Sequence, residues 1–463
     1  MSPTTRDSAS SNRTDTPSSS REDTAPNIVL VTVDSLRADH CGFLGSEHEL
    51  TPTLDRLAHE GLSFETAIAP GPRTPSSMPV IWTGEHVGHD NRGVYDSRAE
   101  KADSWRGRQR RIRRHTRRFE TIAERLASRG YDTGAVTTNP WTSAETGFDQ
   151  GFRKFEAING LPDDGSVSLL KRLLAQGSNI PQVPDTERWL LTWPDIYGTV
   201  RAVHDGLSEP YFLWVFLLDP HQPYVAPAAY RTESLGPEMY YANVRYTHGY
   251  SPFEPLPTHL ERWLRAAYRD SVRSVDAFLD RLLAELTDDD PALVVHADHG
   301  EAFGEHGTRG HRPELYEENL RVPLVAHNVD HTGRLDEQVA LRQLPGFLES
   351  VADGETDPER LRTDSALAVT EEAERIAVRT PEWKRIRSRA DWNFAHETPI
   401  DELFHLRVDA AETRNEFGSC PAIADRLDRQ LDRHLSALDE RARIGAAART
   451  IRATGTLRAD RQH

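Results

Sequence analysis

The sequence predicts an α/β protein with a mostly parallel central sheet, followed by a small C-terminal α+β subdomain built on an antiparallel sheet. Three observations predict it. Strand and helix signals alternate through the first 330 residues or so, which is how a chain builds a parallel sheet with helices on its faces. Two apolar, β-branched runs, in segments 27–45 (NIVLVTVDSLRADHCGFLG) and 291–307 (PALVVHADHGEAFGEHG), end abruptly in acids and histidines, as buried parallel strands do at their carboxyl edge. Three short strand-like runs, 366–369, 375–379 and 384–389, then follow a polar stretch.

In chain order, residues 28–33 read as the first strand and 54–60 as a helix. Residues 119–129 read as a helix, 131–137 and 211–218 as strands, and 293–297 as another strand. The run 260–286 reads as a long helix because Leu264, Ala267, Val272, Val275, Phe278, Leu279 and Leu282 recur at helical spacing. His331 opens the polar stretch HTGRLDEQ, taken as the exit from the first domain. Residues 420–438 form an amphipathic helix with Ile423, Leu427, Leu431 and Leu435 four apart, suited to packing back on the body or to a dimer contact. The division expected is a disordered tail at 1–25, a catalytic domain at 26–330, a subdomain at 331–418, and a helix with a polar tail at 419–463.

Composition narrows the function. At 463 residues the chain is too long for one small core, and a net charge of −17 argues against general nucleic-acid binding. Of 56 basic residues only Lys101, Lys154, Lys171 and Lys384 are lysine, a bias that a salt-adapted cytoplasm or a GC-rich genome explains. Two distant cysteines, Cys41 and Cys420, give no disulfide framework and no zinc motif. No stretch approaches the roughly 20 apolar residues of a membrane span, and the Ser/Thr/Asp-rich start lacks a signal-peptide core, so a cytoplasmic protein without a membrane span is expected.

The chemistry lies at the two strand ends. Asp34 closes the first run; Asp298 and His299 close the second. Together they form a mixed O/N donor set for one divalent cation, with Zn²⁺, Mn²⁺ or Mg²⁺ better suited than Ca²⁺ beside a histidine. Alone, Asp34 reads equally well as a helix cap. Between them, segment 69–84 (APGPRTPSSMPVIWTG) places the hydroxyls Thr74, Ser76 and Ser77 after a Pro/Gly turn. That is the start of a helix that would favour an incoming phosphate or sulfate, or else a plain N-cap. Asn139, in TTNPW, stands where a strand should end and is a candidate pocket residue, although Asn before Pro also makes a turn. Eight arginines between Arg106 and Arg118 either rim an anionic substrate site or form solvated surface paired with the protein's acids.

These segments, together with TPTLDRLAHEGLSFETAIAP after the first, LLDPHQPYVAP at 217–227 and ELFHLRVDAAETRNEF at 402–417, resemble the successive motifs of the sulfatase family, in the family's order, over roughly residues 27–417. That family belongs to the alkaline phosphatase superfamily, so the resemblance implies an alkaline-phosphatase-like three-layer sandwich. Two departures matter. Formylglycine-dependent sulfatases carry Cys-x-Pro-Ser-Arg where this chain has Thr74 at the Cys and Met78 at the Arg. They also begin with paired aspartates, whereas Ser35 follows Asp34 here. The set is similar to that of the Thr-dependent, single-metal phosphoryl transferases of the superfamily, and by that resemblance the metal ligands are Asp34, Thr74, Asp298 and His299.

The resemblance implies in-line displacement at phosphorus or sulfur, with Thr74 attacking and water or a second alcohol cleaving the covalent intermediate. His221, in DPHQPY, matches the family's substrate-contacting histidine, and His311, in GHRPELYEE, falls where related transferases keep one near the leaving group. Arg73 and Arg309 are candidates for the anion clamp. His306 is either a ligand or a hydrogen-bonded turn residue. The substrate expected is a small-molecule, glycan or lipid anionic ester, with phosphoester or phosphodiester cleavage placed ahead of sulfate ester hydrolysis, transfer to an alcohol, or a silent binding role.

Overall fold

The computed structural model describes residues 25–87, 105–158, 191–251, 253–371, 373–388 and 401–454. The tail expected to be disordered and the last residues of the polar tail lie outside them. The protein is mixed α/β, with a large, mostly parallel sheet and a separate antiparallel sheet. The large sheet contains β1 (Ile28–Val33), β2 (Leu62–Ile68), β3 (Asp132–Thr137), β4 (Lys154–Ala157), β5 (Tyr211–Leu217) and β6 (Ala292–Ala297). A two-stranded ribbon of β7 (Ala302–Phe303) and β8 (Arg309–Gly310) follows, and β9 (Arg321–Val322), β10 (Leu324–His327) and β11 (Gly333–Ala340) return to the large sheet. Among the described residues its order is β11-β2-β10-β6-β1-β5-β3-β4, with β9 pairing β2.

Register explains why the strand ends matter. β1 lies between β5 and β6, parallel to both, with Val33 opposite Leu217 on one side and Ala297 on the other. The residue after each strand therefore emerges at the same level of one sheet edge, where open α/β sheets bind ligands. Every residue of β1, β5 and β6 is buried, which is why these runs are continuously apolar rather than alternating.

Helix α1 (Pro52–Glu60) precedes β2, and α2 (Thr74–Thr83) follows it. All ten residues of α2 are buried. Its Trp82 ring lies 4.2 Å from that of Trp214 on β5, fixing the helix against the sheet. Gly84 ends the helix with φ +77°, a left-handed turn that glycine adopts without strain. Helix α3 (Trp105–Thr116) carries most of the arginine run, and α4 (Ile122–Ser128) starts later than the expected 119 because Thr121 and Glu124 form a reciprocal capping box. The long helix Thr258–Glu285 buries the apolar stripe read from its sequence.

The polar stretch after His331 is not an exit from the sheet. It is β11, an edge strand parallel to β2, whose outer residues are exposed and whose Val339 is buried. An edge strand buries little of itself, so its sequence reads as polar. The large sheet therefore extends to residue 340, past the boundary expected at 330. The small sheet, β12 (Ala366–Val369), β13 (Arg375–Arg379), β14 (Trp383–Ser388) and β15 (Asp401–His405), is antiparallel throughout. The terminal helix Pro421–Thr454 packs on one face of it through Leu427 and Leu431. Among the described residues no helix is long and apolar enough to cross a membrane.

Candidate active site

Asp34, Asp298 and His299 meet at the sheet edge, fully buried, with candidate ligand atoms all within 4.8 Å of one another. His299 Nε2 lies 3.4 Å from Asp34 Oδ1 and 3.5 Å from Asp298 Oδ2. Its Nδ1 donates to the Gly300 carbonyl at 2.8 Å, which fixes the tautomer and leaves Nε2 as the ligand atom. Burial, with Asp298 beside it, pushes the Asp34 carboxyl well above the usual carboxylate range; burial also raises Asp298. Asp298 Oδ2 is buried and, among the described residues, has no hydrogen-bond donor in good geometry. Two crowded carboxylates, one with an unserved oxygen, and an imidazole nitrogen aimed between them fit a divalent cation by donor chemistry.

Thr74, at the first turn of α2, is brought to this cluster. Its hydroxyl lies 3.2 Å from His299 Nε2 and accepts from Asn139 Nδ2 at 3.3 Å. Asn139 also donates to Asp34 Oδ2 at 2.6 Å, while its Oδ1 accepts from the Trp141 amide. Asn139 thus stands at the end of β3, bonded to Asp34 and Thr74, and also shapes the turn that follows. Ser77 donates to the Asp298 carbonyl at 2.6 Å, tying α2 to the end of β6. Ser35, in left-handed backbone at φ +61°, donates its hydroxyl to Asp34 Oδ1 and its amide to Asp298 Oδ1. The residue that replaces a second aspartate therefore links the two that remain.

His221 and His311 stand beside the cluster. The His311 ring is 4.8 Å from His299 and 4.7 Å from His221. The Nδ1 of His221 faces the Gln222 carbonyl, and that of His311 lies 2.9 Å from Glu301 Oε2. Burial holds both imidazoles well below the usual histidine range. Glu301, fully buried and accepting from Tyr224 at 2.9 Å, was not singled out from sequence. Nor was Arg312, two residues beyond β8, where burial disfavours the charged guanidinium. The DHGE and HRPE spellings show their residue types, but only the β7–β8 ribbon brings them under the same pocket.

Arg73 caps α2, and its guanidinium pairs with Glu371 at 3.0 Å, close enough to Arg312 and His311 to disfavour their protonated forms. Two other expected residues lie elsewhere. Arg309 donates to the Glu254 carbonyl at 2.8 Å and faces Glu261. His306 stacks on Tyr316 at 3.7 Å, bonds Glu318 and the Glu412 carbonyl, and belongs to the contact between the two subdomains. Its φ of +51° and its hydrogen bonds match the turn reading of that residue.

A sulfatase family model matches residues 26–342. The chain belongs to the sulfatase family. It is 24% identical over 359 residues to human iduronate 2-sulfatase, covering 68% of this chain and 61% of that protein, so it spans about three fifths of that relative's length. It is also 24% identical over 401 residues to the multifunctional alkaline phosphatase superfamily protein PehA of Trinickia caryophylli, covering 71% and 72% of the two chains. Among solved structures, the phosphonate monoester hydrolase of Agrobacterium radiobacter aligns with a TM-score of 0.60 at 16% identity, over 89% of this chain and 96% of that one. The likeness supports the fold of this sulfatase family member, and relatives and structural neighbours include hydrolases of sulfate and phosphonate esters.

Proposed function

We propose that this sulfatase family member hydrolyses a phosphorus or sulfur ester with Thr74 as its nucleophile, phosphoester or phosphodiester cleavage being favoured over sulfate ester cleavage. The observation that carries this reading is the Thr74 hydroxyl at 3.2 Å from His299 Nε2, at the edge of the three-residue ligand cluster. Threonine cannot become formylglycine, so a family member with Thr here must attack with its own hydroxyl or not at all. Asp34, Asp298, His299 and Thr74 would hold the cation. When bound, it would supply positive charge against the nucleophile and the ester oxygens, and Zn²⁺, Mn²⁺ or Mg²⁺ suits the donors better than Ca²⁺.

The chain's own residues would do the rest. Asn139 orients the Thr74 hydroxyl and shields the Asp34 carboxylate. The α2 N-terminus would turn the positive end of its dipole toward an anion. Arg312 offers planar donors to the equatorial oxygens. His311 or His221, neutral and with Nδ1 against an acceptor, would take a proton from the attacking water through Nε2. Two buried carboxylates would balance a divalent cation, and the arginines beside the site favour an anionic ester such as a phosphodiester, a phosphonate monoester or a sulfate monoester. The relatives' sulfate and phosphonate substrates support the same charge class.

The test is a panel of aryl phosphate, phosphodiester, phosphonate and sulfate esters with several divalent metals, comparing wild type with Thr74→Ala. Turnover of a monoanionic ester that falls by about 10³-fold or more in Thr74→Ala supports the reading. Turnover that survives the substitution overturns it.

A further inference from the structure

We propose that Glu371, at the tip of the β12–β13 hairpin, is a positioning residue through which the C-terminal subdomain holds Arg73 against the reacting ester. Three arginines from two other elements converge on it. Arg73 Nη1 lies 3.0 Å from Oε1, Arg108 Nε lies 3.4 Å from Oε2, and Arg111 Nη1 donates to the Glu371 carbonyl at 3.2 Å. The carboxylate is nearly buried, its side chain 10% exposed, so its charge is little screened by water. The hairpin is itself pinned to the nucleophile loop, with the Val369 amide donating to the Pro70 carbonyl at 3.0 Å.

Arg73 differs from its two neighbours in what it touches. Its backbone carbonyl accepts from Ser76 and Ser77 in the first turn of α2, one residue before the nucleophile. A long guanidinium on a pocket rim samples many rotamers unless one edge is fixed; engaging one edge leaves the remaining N–H donors of Arg73 for an anion. Arg73 Nε is buried and has no hydrogen-bond partner among the described residues. Arg108 and Arg111 lie on α3, away from the nucleophile's own turn, and the arginine run is thus partly explained as a buried counter-charge to a single carboxylate.

The proposal rests on the Thr74 site and deepens it, and it is tested by binding as well as turnover. The probe is inorganic phosphate, with sulfate in parallel, titrated calorimetrically into Mn²⁺-loaded full-length protein. Arg73→Gln and Glu371→Gln are each expected to weaken phosphate binding about tenfold, and the double variant no further. The cycle of Arg108→Gln with Glu371→Gln serves as the control, because it breaks the same buried cluster without touching the nucleophile's turn, and it is expected to be additive. Glu371→Asp should recover part of the loss. Additive effects in the Arg73 cycle, or equal coupling in both cycles, overturn the positioning role. If Asp298→Asn also leaves phosphate binding unchanged, the Thr74 reading falls with it; if Asp298→Asn abolishes binding while the Arg73 cycle is additive, only the Glu371 role falls.

Discussion

Replacing Arg375 by methionine removes the cation at the centre of the contact between the two subdomains. Arg375, on β13, is fully buried between Glu314 and Glu402, which are 0% and 3% exposed, and its guanidinium stacks over Tyr316. Methionine fills similar volume, so the main loss is charge. At pH 7 each abandoned carboxyl must either stay ionised in a dry site or take up a proton. For an ordinary pKa near 4.3, the proton costs about 3.7 kcal/mol at about 1.36 kcal/mol per pH unit. Relaxation and water entry bring the total for a broken buried pair to about 3–5 kcal/mol. The sign of the pH dependence follows. The stranded acids have folded pKa values raised above their unfolded ones, so the variant is least handicapped at low pH and loses stability as pH rises. Protonation at pH 5 costs about 1 kcal/mol per carboxyl, so the deficit should shrink to about 2 kcal/mol. Urea unfolding of wild type and variant at both pH values reads this directly. A deficit under about 1 kcal/mol at pH 7, or one that does not change with pH, refutes the reasoning.

Other expectations follow from the same geometry. Glu412 is fully buried beside Lys384 and Glu317, and burial lifts its carboxyl from 4.5 to about 7; its contribution is present below the unfolded pKa and is lost as pH rises through about 7. Glu412→Gln should therefore flatten the fall in stability between about pH 4.5 and 7, by up to about 3 kcal/mol, in thermal melts across that range. Asn139→Ala should lower kcat about 10- to 100-fold with little change in KM, because it frees the Thr74 hydroxyl rather than removing a contact to substrate; a pure KM effect would contradict this. Asp298→Asn should abolish stoichiometric metal content in elemental analysis, and an unchanged content would contradict the ligand set. Leu427→Ala, at a fully buried position under the small sheet, should cost about 2–4 kcal/mol in urea unfolding.

What could be read from the sequence was what burial and backbone chemistry write locally. β1 and β6 are buried on both faces, so their apolar runs and the acids ending them stand out. The long helix Thr258–Glu285 shows its stripe for the same reason. β11 was hidden because an edge strand with a solvated face carries no alternation strong enough to see. Arg312, Glu301 and the bridging hydrogen bonds of Ser35 were hidden for another reason. Their roles come from contacts across 10 to more than 200 residues, such as Ser35 N to Asp298 and Glu301 to Tyr224, which no local spacing encodes. Arg309 and His306 show the opposite case. Each has the right side chain in the right motif, but the ribbon turns Arg309 toward Glu254 and stacks His306 on Tyr316.

The central claim is that Thr74 is the atom donor to the ester, and the most direct measurement is mass mapping of the enzyme quenched during turnover of the best aryl ester from the panel. The account predicts one phosphoryl, phosphonyl or sulfuryl adduct, lost from Thr74→Ala and located on the peptide that contains Thr74. An adduct on another residue, or full turnover by Thr74→Ala without one, would contradict it.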